Sequence, residues 1–144
     1  SKLTRPNGLA FSPDFSKLYV TNSDPANPVI MSYDVKDDGS IVQGKVFFDT
    51  KPLYLKEKEK NDQQQVGLPD GLKVDIHGNV ISSGPGGVLV ISPEGKLLGR
   101  LLLDRPVSNV AFGGDNRLYI TAKDIIARIK IKTKGVRIIR KSKK

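Results

Sequence analysis

Apolar and polar positions alternate with period two through most of this chain, in runs of four to seven residues broken by Gly, Pro, Asn and Asp. The clearest stretch runs from Leu68 to Leu98. Leu72 and Val74 alternate with Lys73 and Asp75, Ile76-His77-Gly78-Asn79 is a turn, and Val80-Ile81 opens a second strand. Gly84-Pro85-Gly86-Gly87 then precedes Val88-Leu89-Val90-Ile91, and Ser92-Pro93-Glu94-Gly95 turns into Lys96-Leu97-Leu98-Gly99. Such alternation predicts half-buried strands joined by tight turns. Four of them in about thirty residues is the size of one propeller blade.

The opening of that unit occurs three times. Pro6-Asn7-Gly8-Leu9-Ala10-Phe11-Ser12-Pro13-Asp14 leads to Leu18-Tyr19-Val20, and Pro69-Asp70-Gly71-Leu72-Lys73-Val74-Asp75 leads to Asn79-Val80-Ile81. Pro106-Val107-Ser108-Asn109-Val110-Ala111-Phe112-Gly113-Gly114-Asp115 leads to Leu118-Tyr119-Ile120. In each, a small polar residue (Asn7, Asp70, Asn109) starts a strand. Inner strand starts of a radial array point at its axis, so these three are expected to converge. The reading is all-β, a partial β-propeller with four-stranded blades at roughly 3–50, 67–103 and 104–135.

Between the blades, residues 51–66 read as a surface excursion, because charge alternates from Lys56 to Asp62 while apolar residues vanish. Leu53, Tyr54 and Leu55 give it a means of docking as a lid; a mobile connection is the simpler expectation. The Asp-rich turn Lys36-Asp37-Asp38-Gly39-Ser40 is a hairpin turn, since it lacks the spaced oxygens and terminal Glu of a calcium loop. His77, in the turn after the second inner strand, reads as a solvated turn residue.

Composition narrows the function. The 144 residues include no cysteine, which excludes disulfides and thiol chemistry, and one histidine. No apolar run approaches the roughly 20 residues of a membrane span, and the first residues carry no signal h-region, so a soluble chain in cytoplasm or periplasm is expected. The formal charge of +9 suggests nucleic acid until it is located. Residues 123–144 hold ten basic side chains against Asp124 alone and account for all of it; the first 122 residues are neutral. Arg128-Ile129-Lys130-Ile131-Lys132 alternates with period two, as a strand with one apolar face does, and no aromatic platform is interleaved. Nucleic acid is therefore disfavoured as a partner, and residues 136–144 read as a basic tail.

Five phrases, Arg5 to Asp14, Val46-Phe47-Phe48-Asp49, Leu68-Pro69-Asp70-Gly71-Leu72, Gly84-Pro85-Gly86-Gly87-Val88 and Asn109-Val110-Ala111-Phe112-Gly113-Gly114, occur in order and with blade-like spacing. Together they resemble the SMP-30/gluconolactonase/luciferin-regenerating-enzyme family, from about Leu3 to Gly135. The resemblance implies a six-bladed β-propeller that binds a divalent metal in its central channel and hydrolyses sugar lactones or related esters. It implies that Asn7 and Asp70 are metal ligands and that Asp70 is also the general base; Ca²⁺ is the first choice of ion, with Zn²⁺ or Mg²⁺ as alternatives. On residue type alone, Asn7 and Asp70 read as turn residues before Gly8 and Gly71. The chemistry fits the implied roles, because a hard cation takes oxygen ligands and an adjacent carboxylate can take a proton from water.

The resemblance also implies a metal-binding Glu near the N-terminus and a substrate-holding Arg and Asn in earlier blades, which nothing before Leu3 supplies. About three blades are expected here. Two readings follow: the C-terminal half of a lactone hydrolase, completed by a missing N-terminal half or in a homodimer, or a non-catalytic half-propeller acting as a binding or assembly module or a gene fragment.

Overall fold

The period-two stretches fold as strands in the computed structural model, which describes residues 3–60 and 66–136. The first sheet is β1 (Pro6–Phe11), β2 (Lys17–Asn22), β3 (Val29–Val35) and β4 (Ile41–Asp49), paired antiparallel in chain order. The second repeats this with β5 (Leu72–Val74), β6 (Val80–Gly84), β7 (Gly87–Ile91) and β8 (Leu97–Leu102). In the third, β10 (Arg117–Ala122) lies between β9 (Val107–Phe112) and β11 (Ile125–Lys130). β5 contacts both β1 and β9, so the first strands of the three sheets lie side by side. This is the inner-strand arrangement of a β-propeller, of which three blades are described.

The third sheet departs from the four-stranded expectation, having three strands among the described residues. Beyond β11 the chain doubles back under the second sheet: Ile76 N donates to Lys134 O at 2.9 Å, and Gly135 forms an antiparallel bridge to Asp75. The anchor is Asp75, 2% exposed, whose carboxylate accepts from His77 N, Asn79 N, Asn79 Nδ2 and Thr133 Oγ1 at 2.8–2.9 Å. Four donors on one buried carboxylate fix both the β5–β6 turn and the returning segment. The basic tail, apart from Val136, lies outside the described residues.

Alternation along the strands decides how the sheets stack. Tyr19 and Ile30 of the first sheet meet Leu72, Val74, Val80, Leu89 and Ile91 of the second, with Ala10 and Phe47 at the margin. Ile81 and Val88, on the other face of the second sheet, meet Val107, Val110, Leu118, Ile120 and Ala122 of the third. The second sheet is thus apolar on both faces, as a layer packed on both sides must be. At the outer face of the first sheet, Leu9 pairs with Val20 and Phe11 with Leu18, and Leu9 is 60% exposed.

The 51–66 excursion contains a helix, α1 (Lys51–Lys60). Asp49 Oδ1 accepts Lys51 N at 2.8 Å, Pro52 sits in the first turn where a missing N–H costs nothing, and Lys58 and Lys60 fall in the last turn. It buries no residue fully, yet Leu53 packs on the first core cluster and Glu57 accepts Arg100 Nη1 of β8 at 3.0 Å. These two contacts pin α1 beside the β6–β7 turn, at the end of the sheets where β5 begins. Among the described residues no helix is long and apolar enough to cross a membrane.

Candidate functional site

The inner strands are staggered by a repeated backbone bond. Gly8 N donates to Asp70 O at 3.0 Å, and Gly71 N donates to Ser108 O at 2.8 Å. Both glycines are required sterically. A Cβ at Gly8 would overlap the Asp70 carbonyl oxygen, and one at Gly71 would overlap the Asn109 side chain and stand 2.8 Å from its Cα. Only a residue without a side chain lets the next strand approach this closely.

Hydroxyls from the second strands lock the stagger. Thr21 Oγ1 accepts Gly8 N at 2.8 Å and donates to Asp70 O at 2.6 Å, while Asp70 N donates to Ser83 Oγ at 2.8 Å. Thr21 is 0% exposed, as is Ser83. Asp70 is held through its backbone N–H and C=O, so its side chain is left for other work. Among the described residues the Asp70 carboxylate takes part in no hydrogen bond and no ion pair. Desolvation by burial raises its carboxyl above the ordinary aspartate range.

Asn7 neighbours Asp70 across the Gly8–Asp70 bond, and its Nδ2 donates to Ser23 Oγ at 3.3 Å. Ser23 Oγ donates in turn to Pro69 O at 2.6 Å. The amide is thereby oriented with its nitrogen engaged, and Oδ1 is the atom left over.

The third strand start holds a different residue from the one its polarity suggests. Leu9, Leu72 and Val110 oppose Val20, Ser82 and Ile120, which puts Ser108, not Asn109, in register with Asn7 and Asp70. Asn109 occupies the position of Gly8 and Gly71, and its Oδ1 accepts Val110 N at 2.9 Å. His77 is an exposed turn residue at the opposite end of the sheet.

Asp70 and Ser108 open into a cleft of about 240 Å³ whose walls include Ser23, Leu68, Val107 and Lys123. Sequence reasoning missed Thr21, Ser83, Ser108 and Lys123. The hydroxyls carry a signal, since Thr21, Ser83 and Thr121 recur at equivalent places on β2, β6 and β10.

Among the described residues no three His, Cys, Asp or Glu side chains come together to hold a metal. The donors at the mouth are hard oxygens, an amide from Asn7 and a carboxylate from Asp70. They fit a divalent cation as two members of the six to eight oxygens that Ca²⁺ takes.

Fold and mouth define a segment of a β-propeller with a carboxylate at its inner strand starts. The family described as SMP-30/Gluconolactonase/LRE-like region matches residues 1–124, and the chain belongs to it. A gluconolactonase of Zymomonas mobilis subsp. mobilis is 41% identical over 138 residues, covering 92% of this chain and 36% of that protein. Lactonohydrolase oryH of Aspergillus oryzae is 29% identical over 154 residues, covering 90% of this chain and 30% of that protein. A solved gluconolactonase from Xanthomonas campestris superposes with a TM-score of 0.71 at 30% identity, over 94% of this chain and 39% of that one. Regucalcin from Agrobacterium tumefaciens, a calcium-binding protein, superposes with a TM-score of 0.72 at 20% identity, over 94% of this chain and 50% of that one, which shows the fold alone. The chain spans about a third of the length of the curated relatives it matches.

Proposed function

We propose that this chain supplies part of the active site of a metal-dependent sugar-lactone hydrolase, with Asp70 as general base and Asn7 and Asp70 as metal ligands. The observation that carries the reading is the Asp70 carboxylate, without a partner among the described residues at the mouth of a cleft while three hydrogen bonds hold its backbone. A carboxylate on a fixed backbone is preorganised and needs no rearrangement before it acts.

In the proposed reaction Asp70 takes a proton from water. The water oxygen bonds to the lactone carbonyl carbon, the bond from that carbon to the ring oxygen breaks, and the proton held by Asp70 passes to the leaving ring oxygen, which becomes a hydroxyl and restores the carboxylate. A divalent cation, when bound, supplies Lewis-acid polarisation of the carbonyl. Asn7 Oδ1 and an Asp70 carboxylate oxygen would hold it, and the cleft beside Asp70 receives the sugar. Support comes from the 41% identity to a gluconolactonase and from the family membership.

The test is lactone hydrolysis in the presence of Ca²⁺ or Zn²⁺ by the chain completed with the remaining blades of its propeller, comparing wild type with Asp70→Asn. Loss of about 10² to 10⁴ in rate is expected, because the base and a ligand charge go together. Circular dichroism should be unchanged, since among the described residues the hydrogen bonds of Asp70 are made by its backbone. Undiminished hydrolysis by the folded variant would refute the assignment.

A further inference from the structure

Asn7 and Asp70 stand on different blades, and two hydroxyls at and just beyond the end of β2 tie those blades together. Each accepts a hydrogen bond from the first inner strand start and donates one to the second. Thr21 Oγ1 accepts Gly8 N at 2.8 Å and donates to Asp70 O at 2.6 Å, while Ser23 Oγ accepts Asn7 Nδ2 at 3.3 Å and donates to Pro69 O at 2.6 Å. The bonds of Thr21 all go to backbone; those of Ser23 reach a side chain, that of Asn7. Ser23 also lines the same cleft as Asp70. Its frame is held separately, because its N–H donates to Arg5 O at 2.9 Å. The preceding Asn22, 0% exposed, accepts Arg5 N on Oδ1 at 2.8 Å and donates from Nδ2 to Asn27 O at 2.8 Å.

A count of protons decides which end of the Asn7 amide faces Ser23. A serine hydroxyl has one proton, and a carbonyl oxygen can only accept. The short bond to Pro69 O therefore takes the Ser23 proton and leaves lone pairs toward Asn7. Against lone pairs the amide turns its Nδ2, since Oδ1 there would set two acceptors together with no hydrogen between them. The two ends of an amide are alike in shape and opposite in chemistry, because Oδ1 can ligate a cation and the Nδ2 hydrogens repel one. We propose that Ser23 is a positioning residue: it fixes the Asn7 amide with Oδ1 as the available end and so sets the mouth for a cation. This rests on the reading of Asn7 and Asp70 as metal ligands and adds the residue that makes the first of them usable. A carboxylate at the same position would need no such partner, its two oxygens being equivalent.

The experiment is a double-mutant cycle, read by Ca²⁺ calorimetry on the chain completed with the remaining blades of its propeller, with Ser23→Ala, Asn7→Asp and the two combined. Ser23→Ala should weaken Ca²⁺ about tenfold, the scale for losing a partner that orients a metal ligand. In the Asn7→Asp background the same change should leave the affinity within about twofold or tighten it, because a carboxylate has no end to select. A role confined to bracing the strands would cost the same in both backgrounds, since the bond from Ser23 to Pro69 O is lost in each. Ser23→Thr, which keeps the hydroxyl, should bind Ca²⁺ within about threefold of the wild type. Equal losses in the two backgrounds would overturn the positioning role and leave Asn7 a ligand. So would wild-type affinity in Ser23→Ala alongside a loss in Asn7→Ala. No Ca²⁺ uptake by the completed wild type at millimolar concentration, or uptake unaffected by Asn7→Ala, would instead bring down the ligand reading and the positioning role with it.

Discussion

Replacing Gly8 by alanine tests whether the mouth is built by the close approach of successive inner strands. A Cβ at this position would overlap the Asp70 carbonyl oxygen and stand 3.0 Å from the Gly71 Cα and 3.1 Å from the Asp70 carbonyl carbon. All three are backbone atoms, so no rotamer change relieves the conflict, and β1 must shift by on the order of 1 Å to restore ordinary contact. Overpacking of this kind costs about 1 to 3 kcal/mol. The shift also stretches the bonds from Gly8 N to Asp70 O and Thr21 Oγ1, each worth about 0.5 to 1.5 kcal/mol net. Reduced freedom of the unfolded chain returns about 0.4 to 1 kcal/mol. The net expectation is a loss of about 2 to 4 kcal/mol, which leaves a domain of ordinary stability folded but weakened. In urea denaturation, with a slope on the order of 2 kcal/mol/M, the midpoint should fall by about 1 to 2 M at unchanged slope. Gly99→Ala is the control, because a Cβ there meets nothing within 4 Å and the midpoint should hold or rise. If Gly8→Ala lies within about 0.5 kcal/mol of the wild type, the close-approach account of the mouth is wrong.

Two further outcomes follow from groups away from the mouth. Asp75→Ala strands the four donors that its buried carboxylate serves, so chemical denaturation should show a loss of about 3 kcal/mol or more; a change under about 1 kcal/mol would contradict the role given to Asp75. Hydrogen bonds from Ser12 and Ser16 pull the Asp14 carboxyl down to about 2, and Lys17 and Arg117 likewise lower Asp34 and Asp115. Carboxyls lowered in the folded state stabilise it above their unfolded pKa and lose that contribution as pH falls through the folded values. The thermal midpoint should therefore be level above about pH 5 and drop between about pH 4 and 2, and a midpoint that rose on acidification would refute the sign.

The strands were legible because an antiparallel sheet with its faces against different neighbours writes its period into the sequence, and the turns between carry Gly, Pro and Asp. The helix α1 was not, for the opposite reason: its charged surface has no apolar stripe, and its hold on the sheets comes from Leu53 and the Glu57–Arg100 pair, contacts that tertiary structure supplies. The three-stranded form that the third sheet takes among the described residues was equally hidden, since the return of the chain depends on Asp75, a residue 58 positions from its partner Thr133.

The mouth shows where reading by residue type fails and reading by register succeeds. Asn109 resembles Asn7 and Asp70 in being small, polar and near a strand start, yet Ala10-Phe11 and Asp14 match Ala111-Phe112 and Asp115, and that frame sets Ser108 against Asn7. The strand pairing gives the same frame, with Phe11 opposite Leu18 and Phe112 opposite Leu118. One residue of slip moves a side chain to the other face of a strand, so polarity without phase assigns the wrong member of the pair. Lys123 lay beyond either method. Its place on the cleft depends on where the β10–β11 turn falls beside Asp70, which leaves no local trace in the sequence. The sequence pattern therefore located the half of the mouth built by inner strand starts. The rest of the cleft lining includes Lys123 of the β10–β11 turn, which periodicity does not place.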